Sequence, residues 1–234
     1  MNEDILSHVG KRIRTYRKSR GMRMEELAAL VHKSKASISK YESGSVAIDL
    51  LTLSEIARVL QLELWQLVDC PAELCAPVGQ FPFGKASTLY MYHMNRKIIY
   101  QSVIQLSHAN EDEPLRATLF YKAPALNRLD DSNCIYHGRM SCHSTVLNFL
   151  FSNYHNAAET ALLNFFIPMR KSDALVGMFS GMGSNTIIPS AQKTLLASRV
   201  LEMDEALQAR LVIAPESLKE MKRTNSLFIP LAEE

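Results

Sequence analysis

The chain has 234 residues, of which 47% are hydrophobic and 21% are charged. The length is enough for one large or two small globular domains, and the apolar fraction is too high for a disordered chain. No apolar run reaches the roughly 20 residues of a membrane span, the amino terminus lacks a signal-peptide core, and four scattered cysteines do not form a disulfide framework. We therefore expect a cytoplasmic protein.

The net charge of +2 is distributed unevenly. Residues 1–44 carry ten Lys or Arg side chains and five Asp or Glu side chains, whereas the rest of the chain carries sixteen and nineteen. A basic region on a nearly neutral body indicates an anionic partner for that region. The alternative is an ordinary helix with a solvated basic face.

Helical periodicity extends over the first 69 residues and predicts five short helices. Each apolar stripe recurs at steps of three and four residues, the spacing of one helix face. Ser34 is a typical amino-terminal cap for a third helix from Lys35 to about Glu42, which ends at Gly44. The other helices are predicted around the sets Val9, Ile13 and Tyr16; Leu27, Ala28 and Val31; Leu53, Ile56, Ala57 and Leu60; and residues 64–68.

The segment GMRMEELAALVHKSKASISKYESG, residues 21–44, resembles the helix-turn-helix of the lambda-repressor/Cro-like family, also called XRE-type regulators. That family has the pattern G-L-T-Q-E-E-L-A near its second helix and S-x-x-[ST]-I-S-K-x-E-x-G across its third. The matching positions are Gly21, Glu25, Glu26, Leu27, Ala28, Ser34, Ser37, Ile38, Ser39, Lys40, Glu42 and Gly44. The resemblance covers about residues 5–68 and implies a transcriptional regulator that binds double-stranded operator DNA.

The resemblance also implies which residues contact DNA. The major groove admits one helix, and the first turn of that helix meets the base edges. The family's base-reading positions correspond to Lys35, Ala36, Ser39 and Lys40. For each lysine, contact with phosphate alone is the alternative. The positions implied to contact phosphate or to position the helix are Arg23, Met24, Lys33, Ser34, Ser37 and Ser43.

Two positions depart from the family, and one pair of charges follows it. Arg23 stands where the family usually has a Thr or Ser cap, and Met24 stands where it usually has a phosphate-binding Gln. These departures predict weaker phosphate contacts at the start of the second helix. Arg17 and Glu42 match a buried ion pair that links the first helix to the end of the recognition helix. The alternative is a loose surface pair worth about 0–1 kcal/mol.

A change of composition divides the chain. Proline and glycine are frequent in residues 69–84, which predicts a linker at 70–84 between a helix-turn-helix domain at 1–69 and a second domain at 85–234. In the second domain, short apolar and aromatic runs alternate with turn-like clusters. They predict six or more antiparallel strands in a barrel or a curved sheet, at 87–94, 97–106, 115–123, 134–140, 145–152 and 161–169.

The end of the chain has a different pattern. After Pro189 it predicts helix, first around Leu195, Leu196 and Val200 and then over residues 202–212 and 215–223. Residues 226–231 have the composition of a last strand. The predicted fold class is α+β: five amino-terminal helices, an antiparallel β-rich domain and carboxy-terminal helices.

Candidate catalytic and metal-binding residues are sparse in the second domain. Donors for a zinc site are present in Cys134, His137, Cys142 and His143. Adjacent residues of a strand point to opposite faces, however, so we expect no metal and no cofactor. Cys70 and Cys75 fit ordinary thiols better than redox-active ones. The glycines of residues 177–186 lack the Lys-Ser/Thr of a phosphate loop and favour close strand packing. Without a nucleophile–base pair, we expect no enzymatic activity.

Aromatic residues beyond residue 80 leave two interpretations open. They pack the core of a barrel, or some of them line an apolar pocket, because an eight-stranded barrel can hold one small ligand. The candidates for an effector pocket are Tyr90, Tyr92, Tyr100, Phe120 and Tyr121.

We therefore predict a homodimeric regulator, a repressor rather than an activator, whose second domain dimerises and senses a small-molecule effector. One alternative is a DNA-tethering adaptor whose second domain binds a protein partner. Another is an enzyme with a DNA-targeting domain, which the missing catalytic residues disfavour.

Overall fold

The computed structural model describes residues 2–68, 81–107, 115–170, 172–182 and 188–229, and the chain divides into two compact units near residue 70. Helices make up the first unit, and an antiparallel barrel followed by two helices makes up most of the second. The fold is therefore α+β, as predicted. Within the described ranges, no helix is long and apolar enough to cross a membrane.

Five helices of the first unit correspond to the five predicted ones. They are α1 Asn2–Ser19, α2 Met24–Leu30, α3 Lys35–Glu42, α4 Leu50–Val59 and α5 Trp65–Val68. The apolar stripes of these helices face one another and form one core, whose fully buried members include Ile13, Tyr16, Leu27, Val31, Ile38, Ile56 and Leu60. This core holds α3 in a defined orientation against the other helices.

The backbone of α1 approaches the end of α3 closely at Gly10. A Cβ atom at this position would collide with the backbone oxygen atoms of Tyr41 and Glu42. Gly44 follows α3 with a φ of +70°, in the left-handed region that glycine adopts without strain. The glycine pair therefore allows α1 to pack directly against the last turn of α3.

Eight antiparallel strands form a closed barrel in the second unit. Each strand pairs with the next along the chain, and β8 pairs with β1, so the sheet has no free edge. The strands are β1 Thr88–Asn95, β2 Ile98–Ser107, β3 Leu115–Tyr121, β4 Cys134–Cys142, β5 Val146–Asn153, β6 Thr160–Phe166, β7 Ala174–Met182 and β8 Pro189–Ala197. The remaining elements are a 3-10 helix at Leu126–Asp131, α6 at Glu205–Leu211 and α7 at Pro215–Thr224.

The segment after Pro189 corrects the sequence prediction, because Leu195 and Leu196 lie in β8 and not in a helix. Leu196 belongs to the barrel core, whereas Leu195 packs with Leu207 and Leu211 of α6 on the outer face. Burial on both faces removes the alternation of apolar and polar residues by which a strand is recognised. β7 is also missing from the predicted strands, and its segment contains Gly177 and Gly181.

The ends of the second unit are only partly as predicted. The helices expected at 202–212 and 215–223 are present as α6 and α7. Residues 226–229 do not form a strand, and residues 230–231 lie outside the described ranges, as do residues 70–80 of the predicted linker. Phe81 and Phe83, which fall in the rest of that linker, pack against the barrel core.

The two ends of the barrel interior differ in chemistry. The inner face at the apolar end, where β1 begins, carries Leu89, Leu106, Leu115, Leu147 and Leu196. We call the other end, where β1, β3, β5 and β7 finish, the polar end. Its inner face carries His93, Tyr100, Tyr121, Gln192 and Thr194.

Gly177 lies on the inner face of β7, next to Phe165 of β6. A Cβ atom at Gly177 would collide with the Asn164 backbone oxygen and the Phe165 ring. This glycine therefore serves close packing of strands and rings. Residues 183–186 of the same glycine-rich segment lie outside the described ranges.

Candidate DNA-binding surface and barrel site

The outer face of α3 is exposed, because Ile38 on its inner face is fully buried in the domain core. All four predicted base-reading residues lie on the exposed side: Lys35, Ala36, Ser39 and Lys40. Among the predicted phosphate-contacting or positioning residues, Met24 and Ser37 are half-buried. The exposed ones are Arg23, Lys33, Ser34 and Ser43. The exposed residues of α3 thus lie on the side of the helix that is free to enter a groove of DNA.

Hydrogen bonds within the helix hold the start of α3. The Ser37 backbone N–H donates to Ser34 Oγ at 3.0 Å, so Ser34 caps the helix. The two serine hydroxyl oxygens are 2.9 Å apart, and the Ser43 hydroxyl donates to the Lys40 backbone oxygen at 3.0 Å. These serines therefore stabilise the ends of α3 in addition to any contact with phosphate.

The capping of α2 compensates for the unusual Arg23. A guanidinium group has no acceptor and cannot cap a helix amino terminus. Instead, the Arg23 backbone N–H donates to Glu26 Oε2 at 2.8 Å, which is the reverse half of a capping box. The Arg23 side chain is left exposed at the edge of the candidate DNA surface.

Lys35 is held by an ion pair that the sequence analysis did not foresee. Its Nζ lies 2.5 Å from Glu25 Oε1, and the two side chains are 63% and 57% exposed. The hydrogen bond from Lys35 lowers the pKa of Glu25. Lys35 must leave Glu25 to reach a base edge, so the two lysines of α3 are not equivalent.

Arg17 and Glu42 form a buried bidentate ion pair. Arg17 Nε lies 2.5 Å from Glu42 Oε1, and Arg17 Nη2 donates to Glu42 Oε2 at 2.8 Å. Arg17 Nη1 also donates to the Met22 backbone oxygen at 2.8 Å. The hydrogen bond to Glu42 raises the pKa of Arg17. The pair connects α1, the turn before α2 and the end of α3 through charge-assisted hydrogen bonds.

The five aromatic candidates for an effector pocket do not share one face of the barrel, which corrects the idea of a single aromatic pocket. Tyr92 packs with α6 on the outer face, and Tyr90 lies beside it. Phe120 alternates with inward-facing Tyr121 and therefore also points outward. Tyr100 and Tyr121 lie inside the barrel, on either side of a residue that the sequence analysis did not select, His93.

His93 is the centre of the polar end and is only 1% exposed. Its ring stacks on the rings of Tyr100 and Tyr121, with centroid distances of 5.4 and 5.1 Å. The Tyr121 hydroxyl lies 3.0 Å from His93 Nε2. The Lys122 ammonium lies 4.3 Å from the centroid of the Tyr100 ring. In the sequence, His93 lies between Tyr92 and Met94 in an apolar and aromatic strand, and nothing local shows which face of the barrel it takes.

Burial keeps four side chains of the polar end uncharged near neutral pH: His93, Tyr121, Cys134 and Tyr136. It lowers the pKa of His93 to about 4, with a further contribution from Lys122. It also raises the pKa of Tyr121 to about 12 and raises the pKa of the Cys134 thiol. The pKa of Tyr136 is raised by burial and by its hydrogen bond to Glu159. Such groups donate and accept hydrogen bonds but are poor bases and nucleophiles.

Glu159 reaches the same end of the barrel from the connection between β5 and β6. Its carboxylate accepts hydrogen bonds from the Tyr136 hydroxyl at 2.5 Å and from Asn153 Nδ2 at 2.9 Å. The Glu159 charge is thereby held by two donors at the rim of the polar end.

Within the part of the chain that the structure describes, three buried polar atoms at the polar end have no hydrogen-bond partner: His93 Nδ1, Thr194 Oγ1 and Gln192 Oε1. His93 and Thr194 are directly paired across β1 and β8. Gln192 is two residues before Thr194 on the same face of β8, about 7 Å away along the strand. Buried polar atoms are nearly always hydrogen-bonded in native proteins, so this trio needs a partner.

The four residues weighed as zinc ligands do not come together. Cys134 and Cys142 lie at opposite ends of β4, which spans nine residues. His137 faces Thr118 of β3, with 3.3 Å between its Nδ1 and the threonine Oγ1. Among the residues that the structure describes, no group of three or more His, Cys, Asp or Glu side chains is arranged to hold a metal ion.

An open groove of about 510 Å³ lies on the barrel surface at the same end, where β6 and β8 begin and β7 finishes. Exposed apolar side chains, including Leu150 and Leu162, line one side of it. Another side of the groove is lined by the rim residues Gly181 and Ser190. Ser190 lies two residues before Gln192 on β8. A second groove of about 300 Å³ lies where Leu227, Phe228 and Ile229 pack over β5, β6 and β7.

The geometry of α2 and α3 agrees with the comparison to known families. Residues 13–64 match the helix-turn-helix family HTH_3. The first domain is therefore a helix-turn-helix domain of the XRE type, and this domain makes the protein a DNA-binding transcription regulator.

Several solved structures are similar to parts of the chain. The restriction-modification controller protein C.AhdI from Aeromonas hydrophila is 27% identical, with 26% of this chain and 94% of that chain covered and a TM-score of 0.26. The clp gene regulator ClgR from C. glutamicum is 21% identical, with 27% and 82% covered and a TM-score of 0.26. Hydroxypropylphosphonic acid epoxidase from S. wedmorenis is 14% identical, with 82% and 98% covered and a TM-score of 0.30. Among curated protein sequences, none matches the chain.

Proposed function

We propose that this protein is a homodimeric, cytoplasmic repressor that reads operator DNA with α3 and responds to a small molecule bound by its barrel. The observation that carries the proposal is the pairing of an exposed, capped recognition helix with a barrel whose buried polar trio lacks partners. Occupancy of an operator is sufficient to block transcription, so repression requires no further contact surface.

Lys40 is the strongest candidate for direct base reading. It is exposed on α3, and its side chain can donate to guanine O6 and N7. Lys35 carries the same chemistry but starts from its ion pair with Glu25. Ala36 offers a methyl group to a thymine methyl, and Ser39 offers a hydroxyl to either strand.

The small size of the recognition helix supports dimerisation. α3 has eight residues, and one recognition helix covers only a few base pairs, so useful affinity requires two half-sites about one helical turn apart. Leu150 and Leu162 face each other across β5 and β6 and are 62% and 39% exposed. This apolar pair supports dimerisation through the barrel.

The barrel acts by binding and not by catalysis in this proposal. His93, Tyr121 and Cys134 at its polar end are uncharged at physiological pH, because the pKa of His93 is low and the pKa values of Tyr121 and Cys134 are high. A ligand regulates DNA binding only if it binds the DNA-competent and DNA-free arrangements with different affinity.

Operator selection with the full chain, followed by binding assays, tests the DNA-reading part. We expect Lys40→Ala to weaken operator binding by about 1–3 kcal/mol and to relax specificity at one base pair. Lys33→Ala is the matched control, because the loss of a phosphate contact weakens binding equally on all sequences. Equal effects of both variants on every sequence would remove Lys40 from the base-reading set.

Sedimentation tests the dimer. Leu150→Asp together with Leu162→Asp should convert a dimer into a monomer and weaken operator binding. Leu50→Asp, at an equally exposed leucine of α4, is the control. Dissociation by the control variant alone would move the interface to the helix-turn-helix domain.

An adaptor is the second candidate, and the open groove beside Leu150 and Leu162 favours it. In that case, a protein partner and not a second copy covers this surface. The sedimentation experiment separates the two, since an adaptor remains monomeric at high concentration and the leucine variants change only partner binding.

A further inference from the structure

The polar end of the barrel holds a set of buried hydrogen-bonding atoms that none of the described residues satisfies. His93 Nδ1, Thr194 Oγ1 and Gln192 Oε1 lie on adjacent positions of the inner face, next to the Phe179 ring. His93 and Thr194 are almost completely buried. From this arrangement, we infer that the polar end binds the carboxamide group of a small uncharged molecule.

The pattern of donors and acceptors selects the carboxamide. The Tyr121 hydroxyl lies 3.0 Å from His93 Nε2, and we assign the hydroxyl as the donor of this hydrogen bond. The imidazole proton is then on Nδ1, which becomes a donor. Thr194 can donate as well, whereas Gln192 Oε1 only accepts. A carboxamide oxygen accepts from His93 and Thr194 while its NH2 group donates to Gln192.

The charges at this end favour a neutral ligand over an ion. Glu159, held by Tyr136 and Asn153, opposes a carboxylate at the rim. Lys122, held over the rings of Tyr100 and Tyr121, opposes a cation. An ion that enters the barrel also loses its hydration, at a cost that neither residue offsets fully.

Ser190 lines the open groove at the rim of the barrel. That residue, Gln192 and Thr194 follow one another at two-residue steps on the inner face of β8, from the rim inward. The Phe179 ring lies opposite Gln192, and the Tyr121 ring stacks on it at 5.6 Å. The ligand therefore has an apolar or aromatic body attached to its carboxamide.

Benzamide and benzoate form a matched pair of probes, because they share a ring and differ in the polar group. The full chain, labelled with 15N-histidine and assigned with the His93→Gln variant, is titrated with each compound while the His93 ring nitrogens are observed by NMR. We expect benzamide to shift the His93 Nδ1 resonance with a Kd of about millimolar, as befits so small a ligand. Benzoate should bind at least about tenfold more weakly.

Variants locate the binding site. Thr194→Val keeps the shape of the side chain and should weaken benzamide binding about tenfold, since it removes one hydrogen bond. Gln192→Met removes the hydrogen bond proposed for Gln192 Oε1 and tests its contribution to benzamide binding in the same way. Thr118→Val, at a buried threonine on the outer face, should leave the affinity unchanged.

Three results would overturn the inference: a His93 resonance that benzamide does not move, benzoate binding as tight as benzamide binding, or unchanged affinity in both inner-face variants. The first is the result expected if one trapped water satisfies the trio. The inference rests on the proposed sensing role only for its regulatory consequence. Operator affinity, measured in the same samples, tests that role: benzamide binding at His93 without any change in operator affinity would support the site and refute the effector function.

Discussion

Two buried polar clusters, one in each domain, differ in how completely they are hydrogen-bonded. In the helix-turn-helix domain, Arg17 and Glu42 satisfy each other and a backbone oxygen within the domain. In the barrel, His93 is bonded at Nε2 and left open at Nδ1, beside Thr194 and Gln192. A fully bonded cluster serves the fold, whereas an incompletely bonded one leaves hydrogen-bonding atoms available, which the proposed ligand would use.

The largest expected effect comes from breaking the complete cluster. Glu42→Ala leaves the Arg17 guanidinium buried without its carboxylate and should destabilise the first domain by about 3–5 kcal/mol. Trp65, the single tryptophan of the chain, lies in this domain, so unfolding in denaturant followed by its fluorescence measures the loss. Arg17→Met combined with Glu42→Ala should recover part of it. An unchanged unfolding curve for Glu42→Ala would show that the pair does not stabilise the fold.

The next effect concerns His93 and pH. Its pKa is about 4 in the folded chain and 6.5 without burial, so the unfolded state binds more protons between these values. Stability should therefore fall as pH is lowered from about 6.5 to about 4, by about 3 kcal/mol at most, and no further below that range.

Chemical unfolding of the barrel at several pH values measures this loss. His93→Gln should flatten the pH dependence, and His143→Gln, at an exposed histidine, should retain it. An equal slope in both variants would assign the acid sensitivity to other groups.

A smaller and opposite effect is expected at Thr194. In the free protein, Thr194→Val removes an unsatisfied buried hydroxyl without leaving a cavity and should stabilise the barrel by about 1 kcal/mol. Its melting temperature, compared with that of Thr118→Val, measures the gain. A loss of stability at Thr194 similar to that at Thr118 would mean that its hydroxyl already has a firmly bound partner.

The smallest effect is expected on the surface of the helix-turn-helix domain. Glu25→Gln releases Lys35 from an exposed ion pair and removes a negative charge near the DNA. We expect operator affinity to rise a few-fold, corresponding to about 0.5–1 kcal/mol. Glu55→Gln, at an exposed carboxylate of α4, controls for net charge alone. Equal gains in the two variants would show that the Lys35 ion pair does not matter.

The helical domain was predictable because its signals are local. Ser34, Ile38 and Gly44 each report a cap, a core contact or a helix end within a few residues of chain, and the recognition helix has the predicted bounds. The Lys35 ion pair was missed because its partner Glu25 belongs to another helix, and the angle between helices is set by packing of the core.

The barrel was predictable as a class and not in its site. Strand composition indicated an antiparallel barrel or curved sheet, but β8 looked helical because α6 and the barrel core bury both of its faces. Tyr92 and Tyr121 looked alike as aromatic residues of predicted strands. Side chains alternate between the two faces of each strand, and this alternation places Tyr92 on the outer face of the barrel and Tyr121 on the inner face.

The candidate ligand site exists only because the barrel closes. His93 and Thr194 are 101 residues apart in sequence and become neighbours when β8 pairs with β1. No local pattern encodes that pairing, since its register depends on the tilt and stagger of all eight strands together. Helix caps and apolar stripes act over one or two turns of chain and can be read in sequence order, whereas a trio of unsatisfied atoms is a property of the closed sheet.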